Sequence, residues 1–211
     1  SSRNFFIDNE DLQFHIRTMD WASLLPLVEA YENPEDAFSD PEEAREFYAE
    51  MLSTIGQFSA EQIAPYTTEL DTQHPIQEGE EILTAPRMKT ILDGLAQLGA
   101  MGLILPRRIG GLNSPMVLNS ALSELLARGD VSVMTAYGFY GGVGAVLSRY
   151  AIDEGNFERD ETGCITAMRF DEKLEKIAAG ASVKSLQLVP SCTRCWSSRI
   201  CQGNRWPKSL P

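Results

Sequence analysis

Cysteines, histidines, clustered carboxylates and a glycine run are the residues of this 211-residue chain whose types and spacing could do chemistry. Cys192 and Cys195 stand at a C-x-x-C spacing with Cys201 beyond, which is part of the pattern of a zinc or redox site. A closed structural zinc site takes four ligands, and no fourth cysteine or histidine lies nearby, so no metal is expected. His15 and His74 are far apart, neither at a ligand spacing from another histidine or a cysteine, and both read as structural or exposed. The run Gly141-Gly142-Val143-Gly144 invites a phosphate-loop reading, but such a loop follows a strand and opens a helix, and this run falls inside a helical pattern. Glu78, Glu80 and Glu81 read as a charge run on a solvated loop rather than an acid-base pair. Taken alone, these groups define no reaction.

The elements that would position them are helical, and the expected fold class is all-α, a helical bundle with an irregular C-terminal tail. Residues 10–34 predict one or two short helices, with Asp20 capping the run from Trp21 to Tyr31 and Pro26 kinking or shortening it. Asp40 as N-cap, Pro41 in the first turn and Glu43 at a capping-box-like spacing predict a long helix. Its apolar stripe is Ala44, Phe47, Tyr48, Met51, Leu52, Ile55 and Phe58. Residues 71–83 read as a loop, followed by a helix capped near Thr84, opened by Pro86 and striped by Met88, Ile91, Leu92, Leu95 and Leu98. Gly99 and Gly102 end it, and Leu103 to Pro106 is expected to leave in extended form because the residue before proline avoids the helical region. After a turn at Gly110-Gly111, Ser114 is expected to cap and Pro115 to open a helix striped by Leu118, Ala121, Leu122, Leu125 and Leu126, with Asp130 capping the next.

That next helix, Val131 to about Tyr150, is apolar on nearly every side and reads as a buried central helix. Gly138, Gly141, Gly142 and Gly144 each cost about 1 kcal/mol of helix propensity relative to alanine. A helix bearing that cost is expected to meet a neighbour or a ligand closely. Residues 152–170 read as a charged irregular stretch with a possible hairpin, and 171–179 as a short helix closed by Gly180.

Thirty acidic against 18 basic residues set a net charge of −12, which repels phosphate backbones and anionic lipid heads, so nucleic acid and bare membrane are not expected partners. No apolar run reaches the roughly 18 residues of a membrane span, and no basic segment followed by an apolar stretch opens the chain as in a signal peptide. The expected location is the cytoplasm. The expected organisation is short helices over residues 1–38, a main helical domain over 39–180, and an atypical tail over 181–211. That tail holds no acid, five bases, three of the four cysteines and two of the three tryptophans.

Three segments, in order, carry a resemblance to a known family. Phe58-Ser59-Ala60-Glu61-Gln62-Ile63-Ala64-Pro65 with Asp71 beyond is similar to the first-helix exit of the acyl-CoA dehydrogenases. Leu98-Gly99-Ala100-Met101-Gly102-Leu103-Ile104-Leu105-Pro106 through Gly110-Gly111-Leu112 resembles their strongest signature, although Arg107-Arg108-Ile109 stands where an acidic pair and a tyrosine are usual. Ser123-Glu124-Leu125-Leu126-Ala127-Arg128-Gly129-Asp130-Val131-Ser132-Val133 resembles the segment leading into the central helix. The resemblance implies an N-terminal helical domain that packs on a middle β-domain, with its central helix walling the acyl chain. Tyr137, Phe139, Tyr140, Gly141 and Val143 are the cavity candidates it implies, with ordinary core packing as the competing role for each. It also implies FAD as cofactor, fatty acyl-CoA as substrate, α-proton removal by a glutamate with hydride transfer to flavin, and a homo-oligomer in the full-length family. The electron acceptor, an electron-transfer partner or oxygen, stays open. The glutamate base and most flavin contacts are implied to lie in other domains or in the partner subunit, so no catalytic residue is assigned to this chain.

The chain is therefore expected to be an inactive fragment that stops before the β-domain. The alternative is a non-catalytic helical module that binds acyl chains or a dehydrogenase subunit. The tail is expected to be out-of-frame translation, largely disordered, rather than a genuine extension. Thr193-Arg194-Cys195-Trp196 can be encoded so that skipping one base reads Pro-Asp-Ala-Gly, and Val189-Pro190-Ser191 so that the other frame reads Thr-Glu, both pieces of the family's β-domain motif. Translating the coding DNA from the codon for Ala178 in all three frames tests this: a continuing β-domain in another frame is expected, and its absence from every frame makes the tail genuine.

Overall fold

A computed structural model describes residues 3–30, 37–78, 81–83, 85–105, 107, 111–159, 161 and 165–168. The helix expected at 171–179, the tail 181–211 and the expected cap Thr84 lie outside them. The described part is mostly helical and is built around α3 (Pro41–Phe58). Asp40 accepts the Glu42 N–H at 2.9 Å and Pro41 opens the helix, as its residue types demand. The predicted stripe is the buried one: Ala44, Tyr48, Met51, Leu52, Ile55 and Phe58 are out of water and Phe47 is half-buried. A π-helical turn (Ser59–Ile63) and a 3-10 turn (Ala64–Tyr66) carry α3 into the short α4 (Thr67–Thr72).

The N-terminal segment and helices α1 (Glu10–Thr18) and α2 (Trp21–Glu29) pack on α3. Asn4 donates from Nδ2 to the Ser53 carbonyl at 3.0 Å, and Asp20 caps α2 by accepting from Ser23 N, with Pro26 inside the helix. Trp21 stacks on Tyr48 with ring centroids 5.4 Å apart and donates its indole N–H to the Ile16 carbonyl at 2.8 Å. Phe5, Phe6, Leu12, Ile16, Trp21 and Leu25 belong to the same hydrophobic cluster as α3 and the later helices. One core therefore takes in both the short N-terminal helices and the main domain.

Residues 71–83 are not simply a loop. Strands β1 (Ile76–Glu78) and β2 (Glu81–Leu83) pair antiparallel, with Ile76 opposite Leu83. Three-residue strands are too short to leave a period in a sequence. Near the base of this hairpin, Arg87 donates to Glu69 at 3.0 Å and stacks 3.8 Å from the Tyr66 ring, tying α4 to α5 (Pro86–Gln97). Gly99, at φ 72, ends the α5 segment in the left-handed region that glycine tolerates.

The segment after Gly99 departs from the expected extended exit. It curls through a 3-10 turn (Ala100–Gly102), and Leu103 and Leu105 donate their N–H groups back to Ala100 and Gly102. The proline rule constrains only the residue immediately before Pro106, so local backbone bonds shape the rest. Leu112, Asn113 and Ser114 then donate to the carbonyls of Gly102, Leu105 and Leu103 at 3.0, 2.8 and 2.9 Å, folding the segment onto itself. Ser114 is turned inward and buried rather than capping, and α6 (Met116–Gly129) starts after Pro115 without a side-chain cap. Gly111 makes the fold-back feasible, because a Cβ there would sit 1.9 Å from the Leu105 carbonyl oxygen. After α6 comes α7 (Val131–Asp153), then an antiparallel hairpin of β3 (Phe157–Arg159) and β4 (Ile165–Met168) where a hairpin was expected.

Gly111→Ala drives a side chain into backbone and is expected to destabilise the chain by about 3 kcal/mol, the upper end of overpacking costs. Urea unfolding followed by far-ultraviolet circular dichroism measures it; an unchanged midpoint would show that the turn opens freely.

Candidate functional site

The long helix α7 is where the sequence concentrates its candidates. Asp130 starts it by accepting the N–H of Ser132 at 2.8 Å and the hydroxyl of the same residue, as its position predicts. At about 1.5 Å per residue, the 23 residues of α7 outrun the 14 of its neighbour α6 by roughly 14 Å, so its later turns project past that neighbour. The inward side of the first turns is fully packed: Val133 and Tyr137 are buried. The Tyr137 hydroxyl sits 3.2 Å from the Ala100 carbonyl and 3.0 Å from Asn119 Oδ1, which places its single proton between two acceptors. Burial pushes this phenol well above the ordinary tyrosine range.

The opposite side is open, which corrects the expectation of a helix buried all round. Val131, Thr135, Phe139, Gly142, Val146 and Tyr150 recur every third or fourth residue and all are exposed, Phe139 at 71%. The glycines give the same message. A Cβ built on Gly138, Gly141 or Gly142 would meet nothing within 4 Å, so no described neighbour demands glycine there. The pattern misled because hydrophobicity on many sides shows that a helix seeks cover, not that this domain provides it.

The five candidate residues do not share one surface. At 100° per residue Tyr137 and Phe139 point nearly opposite ways, Tyr137 into the core and Phe139 outward. Val143 is half-buried, Gly141 is half-exposed with open space beside it, and the Tyr140 side chain lies outside the described residues. Among the other singled-out groups, His15 and His74 are exposed, His15 edge-on to Phe14, and Glu78 is exposed. Among the described residues no group of His, Cys, Asp or Glu could hold a metal ion, and no helix is long and apolar enough to cross a membrane. The cysteine tail is outside the described residues.

Two sets of polar contacts were not anticipated. Glu124 accepts from Asn9 at 2.7 Å, and Arg128 donates to the Phe5 carbonyl at 3.2 Å with its guanidinium 4.6 Å from the Phe5 ring. Glu124, Arg128 and Asp130 in the third resembling segment therefore seat the N-terminal segment and start α7. Arg107 pairs with Glu29 in the interior, both side chains under a tenth exposed. The arginine standing where an acid is usual was the one sequence signal of that pair, and its partner 78 residues away left none. Burial first, and the Glu29 carboxylate second, push the nearby Tyr48 phenol above its ordinary range.

The described residues thus define an all-α domain with one long helix left open along an apolar face. The model of the family described as "Acyl-CoA dehydrogenase, N-terminal domain" matches residues 44–155, just over half of the chain, and the chain belongs to the acyl-CoA dehydrogenase family. It is similar to 3-methylmercaptopropionyl-CoA dehydrogenase of Ruegeria pomeroyi, 29% identical over 122 residues that make up 58% of this chain and 19% of that protein. The chain spans about a fifth of that relative's length. No solved structure matches it.

The two faces of α7 predict unequal costs. Tyr137→Ala is expected to lose about 3–5 kcal/mol as a core aromatic deletion, whereas Phe139→Ala should stay within about 0.5 kcal/mol as a surface change. Thermal unfolding of both variants checks the contrast, and equal losses would show that Phe139 is covered in solution.

Proposed function

We propose that this chain is the helical domain of a flavin-dependent dehydrogenase that introduces an α,β double bond into fatty acyl-CoA thioesters, and that the outward face of α7 walls the acyl chain. The observation that carries the reading is the uncovered stripe of Phe139, Val146 and Tyr150, with Gly138, Gly141 and Gly142 open beside it. Apolar side chains left in water forgo about 25 cal/mol for every Å² that a partner could cover. Side-chain-free positions between them leave room for an alkyl chain. The relative named for a CoA thioester supports a CoA thioester as the substrate.

Among the described residues of this face FAD finds no cationic partner for its pyrophosphate: the exposed polar groups are hydroxyls such as Thr135 and Tyr150. A bound flavin would supply the hydride acceptor, and the residues that would hold it, like the glutamate base, are assigned to parts of the enzyme other than α7. What α7 contributes is an apolar wall that keeps water from the acyl chain, a setting that favours both proton and hydride removal. On this reading the enzyme works in the cytoplasm as a homo-oligomer.

A chimera tests the proposal. Residues 1–180 replace the matching part of the Ruegeria pomeroyi dehydrogenase, and the flavin-loaded protein is assayed with acyl-CoA thioesters and an electron-accepting dye. Turnover is expected, and Phe139→Asp should lower kcat/KM at least about tenfold by placing a charge against the alkyl chain. A folded, flavin-loaded chimera that oxidises no acyl-CoA, or one indifferent to Phe139→Asp, would sink the assignment of α7. Tight flavin binding by the 211-residue chain alone would overturn the assignment of the cofactor elsewhere.

A further inference from the structure

Helix α7 is apolar on nearly every side, so burial alone does not choose which side turns inward. Its first turns give Val133 and Tyr137 to the core, with Met134 and Ala136 partly buried against it. Contacts of that kind hold a helix on its neighbours without a preferred direction. The Tyr137 hydroxyl has one. It lies 3.2 Å from the Ala100 carbonyl and 3.0 Å from Asn119 Oδ1, on a side chain 1% exposed. The two acceptors belong to different elements, the 3-10 turn Ala100–Gly102 and helix α6. Each acceptor is itself held. The Ala100 carbonyl also takes the Leu103 N–H at 3.2 Å. Asn119 follows the fully buried Leu118, and its backbone carbonyl accepts from Ser123 Oγ at 2.8 Å.

Side-chain tips stand roughly 5–6 Å from a helix axis, so a turn of about 20° around that axis carries a tip about 2 Å. A hydrogen bond of 3.0 Å does not survive a shift of that size. Phe139 stands two residues on and about 200° further round the same helix, 71% exposed. The same turn therefore carries its ring about 2 Å across the open face, and a misplacement of about 1 Å is enough to weaken an enzyme's grip on a reacting substrate. Inward hydroxyl and outward ring are coupled through one helix, and what holds the first in place holds the second.

We propose that Tyr137 is a positioning residue: its hydroxyl, held between Ala100 and Asn119, fixes the rotation of α7 and so aligns Phe139, Gly142 and Val146 with the acyl chain. This role rests on the acyl-chain reading of α7 and goes beyond it, because Tyr137 points into the core and acts through the stripe on the opposite side.

The flavin-loaded chimera, assayed with acyl-CoA thioesters of increasing chain length, tests the role. Tyr137→Phe keeps the ring and removes the hydroxyl. KM for the longest chains is expected to rise about fivefold, the scale of one buried hydrogen bond, while kcat and the values for the shortest chains stay as they were. Asn119→Ala, on α6, is expected to give the same pattern and carries the test should Tyr137→Phe fail to fold. The double variant should lose no more than either single one, the sign of one shared interaction. A variant that is merely less stable lowers kcat equally at every chain length and leaves KM alone, and that result overturns the proposal. So do variants indifferent to chain length, or single effects that add. A chimera that oxidises no acyl-CoA sinks the acyl-chain reading and this role with it, whereas an active chimera indifferent to Tyr137→Phe and Asn119→Ala removes the role of Tyr137 alone.

Discussion

Withdrawal of one stripe of α3 from water is the constraint on which the rest of the domain depends. Ala44, Tyr48, Leu52 and Ile55 are wholly buried, and no single neighbour could cover them all. The N-terminal segment, α2 and α6 each take part of the stripe, and the π-helical turn after Phe58 continues it to Ile63. Tyr48 shows how tightly the elements are coupled. Its ring meets Trp21 from α2, Phe38 from the entry to α3 and Phe47 within α3, while its hydroxyl lies within the field of Glu29. Displacing α2 would expose an aromatic cluster and a phenol held well above its ordinary pKa by burial.

Much of this scaffold could be read from local chemistry. Asp20, Asp40 and Asp130 each cap a helix where a short acceptor precedes an apolar period, because an N-cap is satisfied within two or three residues of itself. The stripes of α3, α5 and α6 are also local, each following from the pitch of a helix. What escaped the sequence depends on distant partners or on elements too short to repeat. The β1–β2 hairpin has three residues per strand, and Ser114 is turned inward by a backbone bond to Leu103 that its own neighbours do not announce.

The candidate site divides along the same line. That α7 is special was visible from four glycines in an apolar helix, a composition that opposes helix formation. Which side of it is special was not visible. Tyr137 and Phe139 have similar size and stand two positions apart, and only the Ala100 carbonyl and Asn119 decide that Tyr137 belongs to the core. Helical phase then places Phe139 outward with Val146 and Tyr150. Gly138, Gly141 and Gly142 are explained by neither helix propensity nor packing among the described residues.

Several polar contacts of the interior meet on the described residues between Gly99 and Ser114. Arg107 and Asn113 tie them to α2, and the Ala100 carbonyl ties them to Tyr137 of α7. An apolar contact has no preferred direction, whereas a two-pronged ion pair or a tyrosine proton held between two acceptors must keep both its distances and its angles. Where the described residues offer only one 3-10 turn, directional contacts matter most. Ala100 meets the first turns of α7 through Tyr137, and Arg107, which stands where the family's signature has an acid, ties the same stretch of chain to α2 through Glu29.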